Sequence, residues 1–140
     1  MSGIILPCLS IQQPWAWAIL HAGKDYENRT WKNDFTGIFL IHTGKKIDDD
    51  GYEDIVEIME KKKIFDHVGP LPTGGIVGIA EITGVTDNST SDWFFGPYGY
   101  KIENPMELPF YPCKGKVLQF YDQEYPDREI IEHYVLTKGY

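Results

Sequence analysis

Three charged residues, of the types that bind anions or exchange protons, lie close together in the sequence: Lys24, Glu27 and Arg29. If this stretch is an extended strand, Glu27 and Arg29 are two residues apart and their side chains share one face. Lys24 then lies where a preceding helix meets the strand. This arrangement is typical of a pocket floor with mixed charge. It is equally typical of a solvated ion pair worth less than about 1 kcal/mol.

In a pocket, each of the three side chains has a distinct role. The planar fork of Arg29 can orient a base edge or a phosphate. Glu27 can accept a hydrogen bond from a base amino group, or hold Lys24 and Arg29 in place. Lys24 can meet a phosphate, or a developing negative charge if the site is catalytic.

The charge of the chain is unevenly distributed. The 140 residues have a formal net charge of −8, which argues against a broad surface for duplex nucleic acid, because phosphate contacts need Lys and Arg. Residues 10–46 nevertheless carry five Lys or Arg and three Asp or Glu, whereas the remainder carries eight and eighteen. An anionic ligand is therefore expected at residues 10–46.

Further candidate contacts come from a helix start, a strand end and an aromatic loop. At the helix start, the side-chain amide of Gln13 can contact a ligand or cap the helix, and the ring of Trp15 can contact a ligand or fill the core. The histidine at the strand end is the ready acid or base near neutral pH, or a structural residue. Aromatic rings around "GPYG" can stack on an unpaired base or pack in the core. The candidate ligand-binding residues are Gln13, Trp15, Lys24, Glu27, Arg29, His42, Thr43, Lys45, Lys46 and Tyr98, with Lys24 and Glu27 as catalytic residues if the protein is an enzyme.

Hydrophobic periodicity and turn residues predict the elements that position these side chains. Helices are expected where Pro and Gly bracket an apolar stretch, or where acids precede and lysines follow an apolar stripe. Gly78, inside a strand, indicates a bulge or a close backbone approach. The predicted strands are 4–9, 25–31, 36–44, 76–85, 98–104 and 115–122, and the predicted helices are 13–22, 48–63 and 126–136. About six strands and three helices without regular alternation predict an α+β fold, a small barrel flanked by helices, in one domain over residues 1–140.

Several classes of protein are excluded by composition and motif. No apolar run approaches the roughly 20 residues needed to span a bilayer. The basic front of a secretory signal is missing, so a cytoplasmic protein is expected. Cys8 and Cys113 form no Cys-x-x-Cys pair, and the four histidines show no metal spacing. "GGIVG" lacks the lysine of a phosphate-binding loop, and no Gly-x-Ser-x-Gly elbow occurs. Neither a cofactor nor a metal is expected.

Four stretches, in this order, resemble the ASCH domain family: "CLSIQQPWAWAILHAGKDYENRTW", "FTGIFLIHTGKK", "LPTGGIVGIAEITG" and "FGPYGYKIENPMELPFYPCKGKVLQFY". The likeness covers roughly Cys8 to Tyr121. It is greatest to the ASCH domain of activating signal cointegrator proteins and to small stand-alone bacterial and phage members. The resemblance implies a PUA-like fold, a small bent β-barrel with a helix across its mouth and a cleft beside it.

The resemblance also implies a function connected with RNA, because PUA, YTH and EVE relatives bind RNA or modified bases. In the family, the cleft is lined by a lysine, an acid and an arginine, here Lys24, Glu27 and Arg29. Family members that are acetylcytidine amidohydrolases use the lysine with a threonine where this chain has Glu27, and some small bacterial members are ribonucleases. We therefore expect a domain that binds RNA, single-stranded nucleic acid or a modified nucleoside. The alternatives are a metal-independent hydrolase and a protein-interaction module.

Overall fold

The structure, a computed structural model, describes residues 3–64, 66–117 and 119–138. Within these ranges one six-stranded sheet is flanked by three helices, as the α+β prediction requires. None of these helices is long and apolar enough to cross a membrane. In chain order the elements are β1 (Ile4–Ser10), α1 (Trp15–His21), β2 (Tyr26–Arg29), β3 (Gly37–Thr43), α2 (Asp49–Lys61), β4 (Gly75–Thr86), β5 (Tyr98–Pro112), β6 (Tyr121–Tyr125) and α3 (Arg128–Thr137).

The strands follow the order β2-β5-β4-β3-β1-β6 across the sheet. Neighbouring strands are antiparallel except β1 and β3, which pair in parallel. A parallel pair needs a crossover connection, which α1 and β2 supply here. Three register shifts between β4 and β5 bend the sheet. The sheet is not closed, and its curvature is consistent with the predicted small bent barrel.

Helices cover both faces of this sheet. Because alternate side chains of β3 point to opposite faces, Phe39 belongs to the cluster that contains Ile19 of α1, whereas Leu40 belongs to the cluster that contains Tyr134 of α3. A third cluster joins α1 to α2 through Trp17 and its neighbours. The helix α1 is therefore fixed between the sheet and α2.

Gly78 lets α1 pack closely on the sheet. A Cβ at this position would lie 2.6 Å from Cδ2 of Leu20 and 3.0 Å from the carbonyl oxygen of Met106. The register between β4 and β5 also shifts between Ile76 and Gly78. The predicted close approach and the predicted bulge are therefore both confirmed at this glycine.

The helix α1 is shorter than the predicted 13–22. It begins at Trp15 because the backbone of Gln13 pairs with the chain ahead of α2, where its carbonyl accepts a hydrogen bond of 2.7 Å from the Asp48 amide. The Gln13 side chain caps the helix instead, since its Oε1 accepts a 2.9 Å hydrogen bond from the Trp17 amide. Gly23, with a φ of +73°, follows the helix end as predicted.

Two strand predictions in the second half of the chain need correction. The strand predicted at 98–104 extends to Pro112, because β5 pairs with β4 through bulges that accommodate Asn104, a residue with a φ of +53°. The strand predicted at 115–122 begins at Tyr121, where pairing with β1 starts. Residues 113–117 are a loop, and residue 118 lies outside the described residues. This loop becomes part of the cleft described below.

Alkaline pH should destabilise the protein through Cys8, whose side chain is fully buried. Burial raises the pKa of the thiol from 9.0 to about 12, although a hydrogen bond with Tyr121 opposes the shift. Because the pKa of this thiol is higher in the folded than in the unfolded protein, burying it stabilises the fold fully below pH 9. This stabilisation is lost as the pH rises above 9 through the pKa of the folded protein. The loss between pH 8 and 11 should be roughly 2–3 kcal/mol from this thiol, on the scale of 1.36 kcal/mol per pKa unit.

The measurement is urea unfolding of the native protein and of Cys8→Ala at pH 8, 9, 10 and 11. Burial also raises the pKa of Tyr134 and lowers that of Lys24, but both residues are present in both proteins. The variant should therefore lose less stability over this range than the native protein. Parallel losses would contradict the assignment to Cys8.

Candidate functional site

The candidate site is a cleft of about 920 Å³, a size suited to a small ligand. It lies at the carboxyl ends of β1 and β3 and beside β2. Its walls combine strand ends, the start of α1 and three glycine-containing loops. The lining residues are Ser10, Ile11, Gln12, Trp15, Glu27, Asn28, Arg29, His42, Gly44, Lys45, Lys46, Gly74, Cys113, Lys114, Gly115 and Val117.

Lys24, Glu27 and Arg29 form one continuous row of charges. Glu27 Oε1 lies 3.2 Å from Lys24 Nζ, and its Oε2 lies 3.1 Å from Arg29 Nε. The second contact is an ion pair rather than a hydrogen bond, because Arg29 Nε has no hydrogen-bond partner among the described residues. Arg29 Nη2 donates a 2.6 Å hydrogen bond to the Ser10 carbonyl. The predicted shared face of Glu27 and Arg29 is confirmed by these contacts.

Lys24 departs from the predicted geometry, in which all three side chains meet in an open cleft. Its side chain is 1% exposed, compared with 10% for Glu27 and 16% for Arg29, and it does not line the cleft. Its ammonium donates to the Tyr26 carbonyl and to Glu27, and lies 5.6 Å from the ring centre of Trp15. Lys24 therefore lies behind Glu27, which separates it from the cleft.

The protonation of Lys24 depends on its burial and on Glu27. Burial lowers the pKa of its ammonium below the ordinary value of 10.5, and the charge and hydrogen bond of Glu27 oppose this shift. Glu27 is thus the main group that favours the charged form of this lysine.

Three other sequence candidates do not line the cleft. Gln13 and Thr43 are buried, and both donate 3.0 Å hydrogen bonds to the carbonyl of Pro72. They anchor the 70–74 loop rather than present their side chains to a ligand. Tyr98 pairs with Arg29 across β2 and β5 but is not among the lining residues.

Trp15, His42, Lys45 and Lys46 do line the cleft. Trp15 Nε1 donates a 2.9 Å hydrogen bond to Asp48 Oδ2, and its ring meets that of Phe95 edge to face at 5.8 Å. The Trp15 side chain is thereby held in one orientation with part of its surface exposed. Of the two tryptophans of α1, Trp15 is the one that faces the cleft, as predicted.

The cleft is strongly cationic for a chain of net charge −8. Four cationic side chains line it, accompanied by one carboxylate, that of Glu27. Three of them, Lys45, Lys46 and Lys114, are exposed and take part in none of the ion pairs found among residues 3–64, 66–117 and 119–138. These three charges are available to an anionic ligand.

Sequence reasoning missed a contact between Ser10 and His42. Ser10 Oγ lies 3.2 Å from His42 Nδ1, and His42 Nε2 lies 2.8 Å from the carbonyl oxygen of Cys113. The two residues are 32 positions apart and are brought together by the parallel register of β1 and β3, which a single sequence does not reveal. The contribution of the 113–117 loop was missed because these residues were assigned in part to a strand.

Asn28 was also missed, and it positions the aromatic loop beside the cleft. Its Nδ2 donates a 3.1 Å hydrogen bond to the Trp93 carbonyl, and its Oδ1 accepts from the amides of Phe95 and Gly96. An asparagine in the middle of a strand suggested no such role. Phe95 is thereby fixed next to Trp15.

Among the described residues, no group of three or more His, Cys, Asp or Glu side chains is arranged to hold a metal ion.

Comparison with curated proteins found no match to this chain. The model of the ASCH domain family matches residues 9–137, a longer span than the Cys8 to Tyr121 of the resembling stretches. The chain therefore belongs to the ASCH domain family.

Proposed function

We propose that the cleft binds single-stranded RNA or a nucleoside, with an unpaired base inside and phosphates at the rim. As an ASCH domain, the chain is a nucleic-acid-related domain. The observation that carries the proposal is a cleft lined by Trp15 and four cations in an otherwise acidic protein. Outside residues 10–46 the chain carries eight Lys or Arg against eighteen Asp or Glu, which disfavours a long duplex, whereas an unpaired base can enter the cleft.

Each part of the site suits a part of such a ligand. Lys45, Lys46 and Lys114 lie at the rim and can neutralise phosphates with release of counterions. The ring of Trp15, held by Asp48, offers a stacking surface worth about 1–3 kcal/mol per base. Glu27 and Arg29 face the interior of the cleft, where an acceptor and a donor fork can read a base edge.

This arrangement favours Arg29 and the rim lysines, rather than Lys24, as contacts of the ligand. Lys24 lies behind Glu27 and gives its hydrogen bonds to Tyr26 and Glu27. We assign it the role of holding Glu27 ionised and oriented. A catalytic role for Lys24 with Glu27 draws no support from this geometry.

Removing two rim charges should weaken binding of a single-stranded RNA by at least tenfold. The variant Lys46→Gln/Lys114→Gln should also reduce the slope of log affinity against log salt by about 1.4, since each lost phosphate contact contributes about 0.7 for single strands. The measurement is fluorescence anisotropy of a labelled mixed-sequence 12-nucleotide RNA at several salt concentrations.

The matched control is Lys61→Gln/Lys62→Gln, which removes the same charge from the end of α2. Both lysines pair with Asp92, at 2.7 and 3.4 Å, and neither lines the cleft. The control should bind nearly as the native protein does. Equal losses in the two variants would show diffuse electrostatic attraction and would overturn the assignment of the cleft.

A further inference from the structure

We propose that Ser10 and His42 form a nucleophile and general base, with which the cleft hydrolyses carboxylic esters that carry a negative charge. This activity goes beyond the binding of nucleic acid, although the same cleft holds both ligands. The nucleophile is the Ser10 hydroxyl and the base is Nδ1 of His42. Three observations support the proposal. The two side chains are within hydrogen-bond distance, the neighbouring groups make Ser10 the donor and His42 the acceptor, and both residues line the cationic cleft.

The pair is held by the backbone of the sheet. Ser10 and His42 are directly opposite in the parallel register of β1 and β3, at the carboxyl ends of both strands. The amide of Ile11 donates a 2.8 Å hydrogen bond to the His42 carbonyl and locks this register. Functional groups at the carboxyl ends of neighbouring parallel strands lie at one edge of the sheet, and here that edge is the cleft.

The carbonyl of Cys113 determines the tautomer of His42. A carbonyl oxygen only accepts, so the 2.8 Å contact requires a proton on Nε2. In the neutral ring Nδ1 is then an acceptor, and at 3.2 Å it receives the Ser10 hydroxyl proton. A base oriented by a hydrogen bond on its far nitrogen is the arrangement that activates serine and cysteine nucleophiles.

The hydrogen bonds behind Ser10 run in the same direction. The Cys8 thiol donates to the Tyr121 hydroxyl at 3.3 Å, and the Tyr121 hydroxyl lies 3.3 Å from Ser10 Oγ. Since Ser10 donates to His42, Tyr121 is the donor to Ser10. Burial, the main cause, raises the pKa of the Tyr121 hydroxyl above its ordinary value of 10.0, so this group stays protonated. Ser10 Oγ is thus supplied with a donor on one side and an acceptor on the other.

The surroundings distinguish this pair from a structural hydrogen bond in the core. Both residues line the cleft, so a reacting carbonyl can approach the hydroxyl. Arg29, which donates to the Ser10 carbonyl oxygen, places positive charge beside the nucleophile. Fixed positive charge stabilises an oxyanion in a cleft, and the rim lysines favour an ester with an anionic substituent.

The reaction balances with water as the only co-reactant. As the Ser10 Oγ–carbon bond forms, the hydroxyl proton moves to His42 Nδ1, and the carbonyl π electrons move to oxygen. Collapse of the tetrahedral intermediate breaks the bond to the leaving alcohol, which takes the proton from Nδ1. Water then attacks the acyl carbon and gives a proton to Nδ1. The second tetrahedral intermediate breaks its bond to Ser10 Oγ, which takes that proton from Nδ1, and the carboxylic acid leaves.

The test uses a fluorophosphonate probe, which needs no knowledge of the natural ester. Ser10 Oγ should form a bond to phosphorus as the phosphorus–fluorine bond breaks, leaving one covalent adduct that peptide mass spectrometry locates at Ser10. The adduct should disappear in Ser10→Ala. Labelling should slow by roughly a hundredfold or more in His42→Gln, whose amide can still donate to Cys113 but cannot act as a base. Hydrolysis of the monoester p-nitrophenyl succinate should fall in parallel in both variants. The native protein should hydrolyse this anionic ester faster than p-nitrophenyl acetate.

Two substitutions serve as matched controls. Ser91→Ala removes a serine whose hydroxyl donates to Asp25 at 2.6 Å, away from the cleft, and His21→Gln removes an exposed histidine that pairs with Glu107. Neither should change labelling. The proposal is overturned if the folded native protein gains no adduct at Ser10, or if a folded His42→Gln protein is labelled at the native rate. RNA binding by Ser10→Ala reports on the proposed function separately, because that variant keeps every cation of the cleft.

Discussion

Replacing Glu27 by glutamine should lower the free energy of unfolding by about 3–5 kcal/mol, the cost of leaving a buried charge without its partner. Glu27 is the carboxylate between Lys24 and Arg29, with ion-pair contacts of 3.2 and 3.1 Å. The amide keeps the size of the side chain but neutralises its charge. Lys24, whose side chain is 1% exposed, would then have to remain charged without a counterion or lose its proton.

Urea unfolding of a double-mutant cycle measures this dependence. The single variants are Glu27→Gln and Lys24→Met, and the double variant carries both. Because the two groups contact each other directly, the double variant should be more stable than the sum of the single effects predicts, by about 2 kcal/mol. An additive cycle would contradict the coupling. The same cycle on the ion pair of Lys61 and Asp92 provides a comparison at the surface. The Lys61 side chain is 71% exposed, so this pair should show a much smaller coupling.

Replacing Gly115 by alanine should slow fluorophosphonate labelling of Ser10 by roughly a hundredfold, the cost of misplacing a catalytic group by about 1 Å. A Cβ at this position would overlap Nδ1 and Cε1 of His42 and lie 2.8 Å from its Cγ. Either the ring turns away from Ser10, or the 113–117 loop moves and takes the Cys113 carbonyl away from Nε2. Gly115 itself is exposed, so the sheet and the helices should remain folded.

The control is Gly44→Ala, which changes another glycine of the same cleft. A Cβ on Gly44 has no atom within 4 Å, and labelling of Ser10 should stay close to the native rate. The rate of labelling and the thermal unfolding midpoint of both variants decide the outcome. Equal labelling rates in the two variants would show that the position of His42 does not govern the reactivity of Ser10.

Sequence reasoning succeeded where the pattern is local. The alternation of strand side chains placed Glu27 and Arg29 on one face, and the Pro and Gly that bracket α1 located it to within two residues. It failed for Lys24, because the burial of that side chain depends on tertiary contacts such as that of its ammonium with the ring of Trp15 from α1. Local alternation carries no information on such packing.

The Ser10–His42 pair shows a second limit of sequence reasoning. Its formation depends on the register between two strands separated by a helix and a further strand. Register is decided by burial across the whole sheet, so one sequence leaves the pair unrecognised. Only the strand ends themselves were predictable, and they were predicted within one residue for β1 and β3.

The position of β1 in the sheet affects how the chain folds while it is being synthesised. One edge of β1 pairs with β3, but the other pairs with β6, and Cys8 lies opposite Tyr121. A nascent chain can therefore form the β1–β3 pair early, while the second edge of β1 stays open until β6 has also left the ribosome. An open, apolar strand edge is a template for pairing with other chains. Protection of this edge from aggregation thus depends on β6, which is made long after β1 and β3.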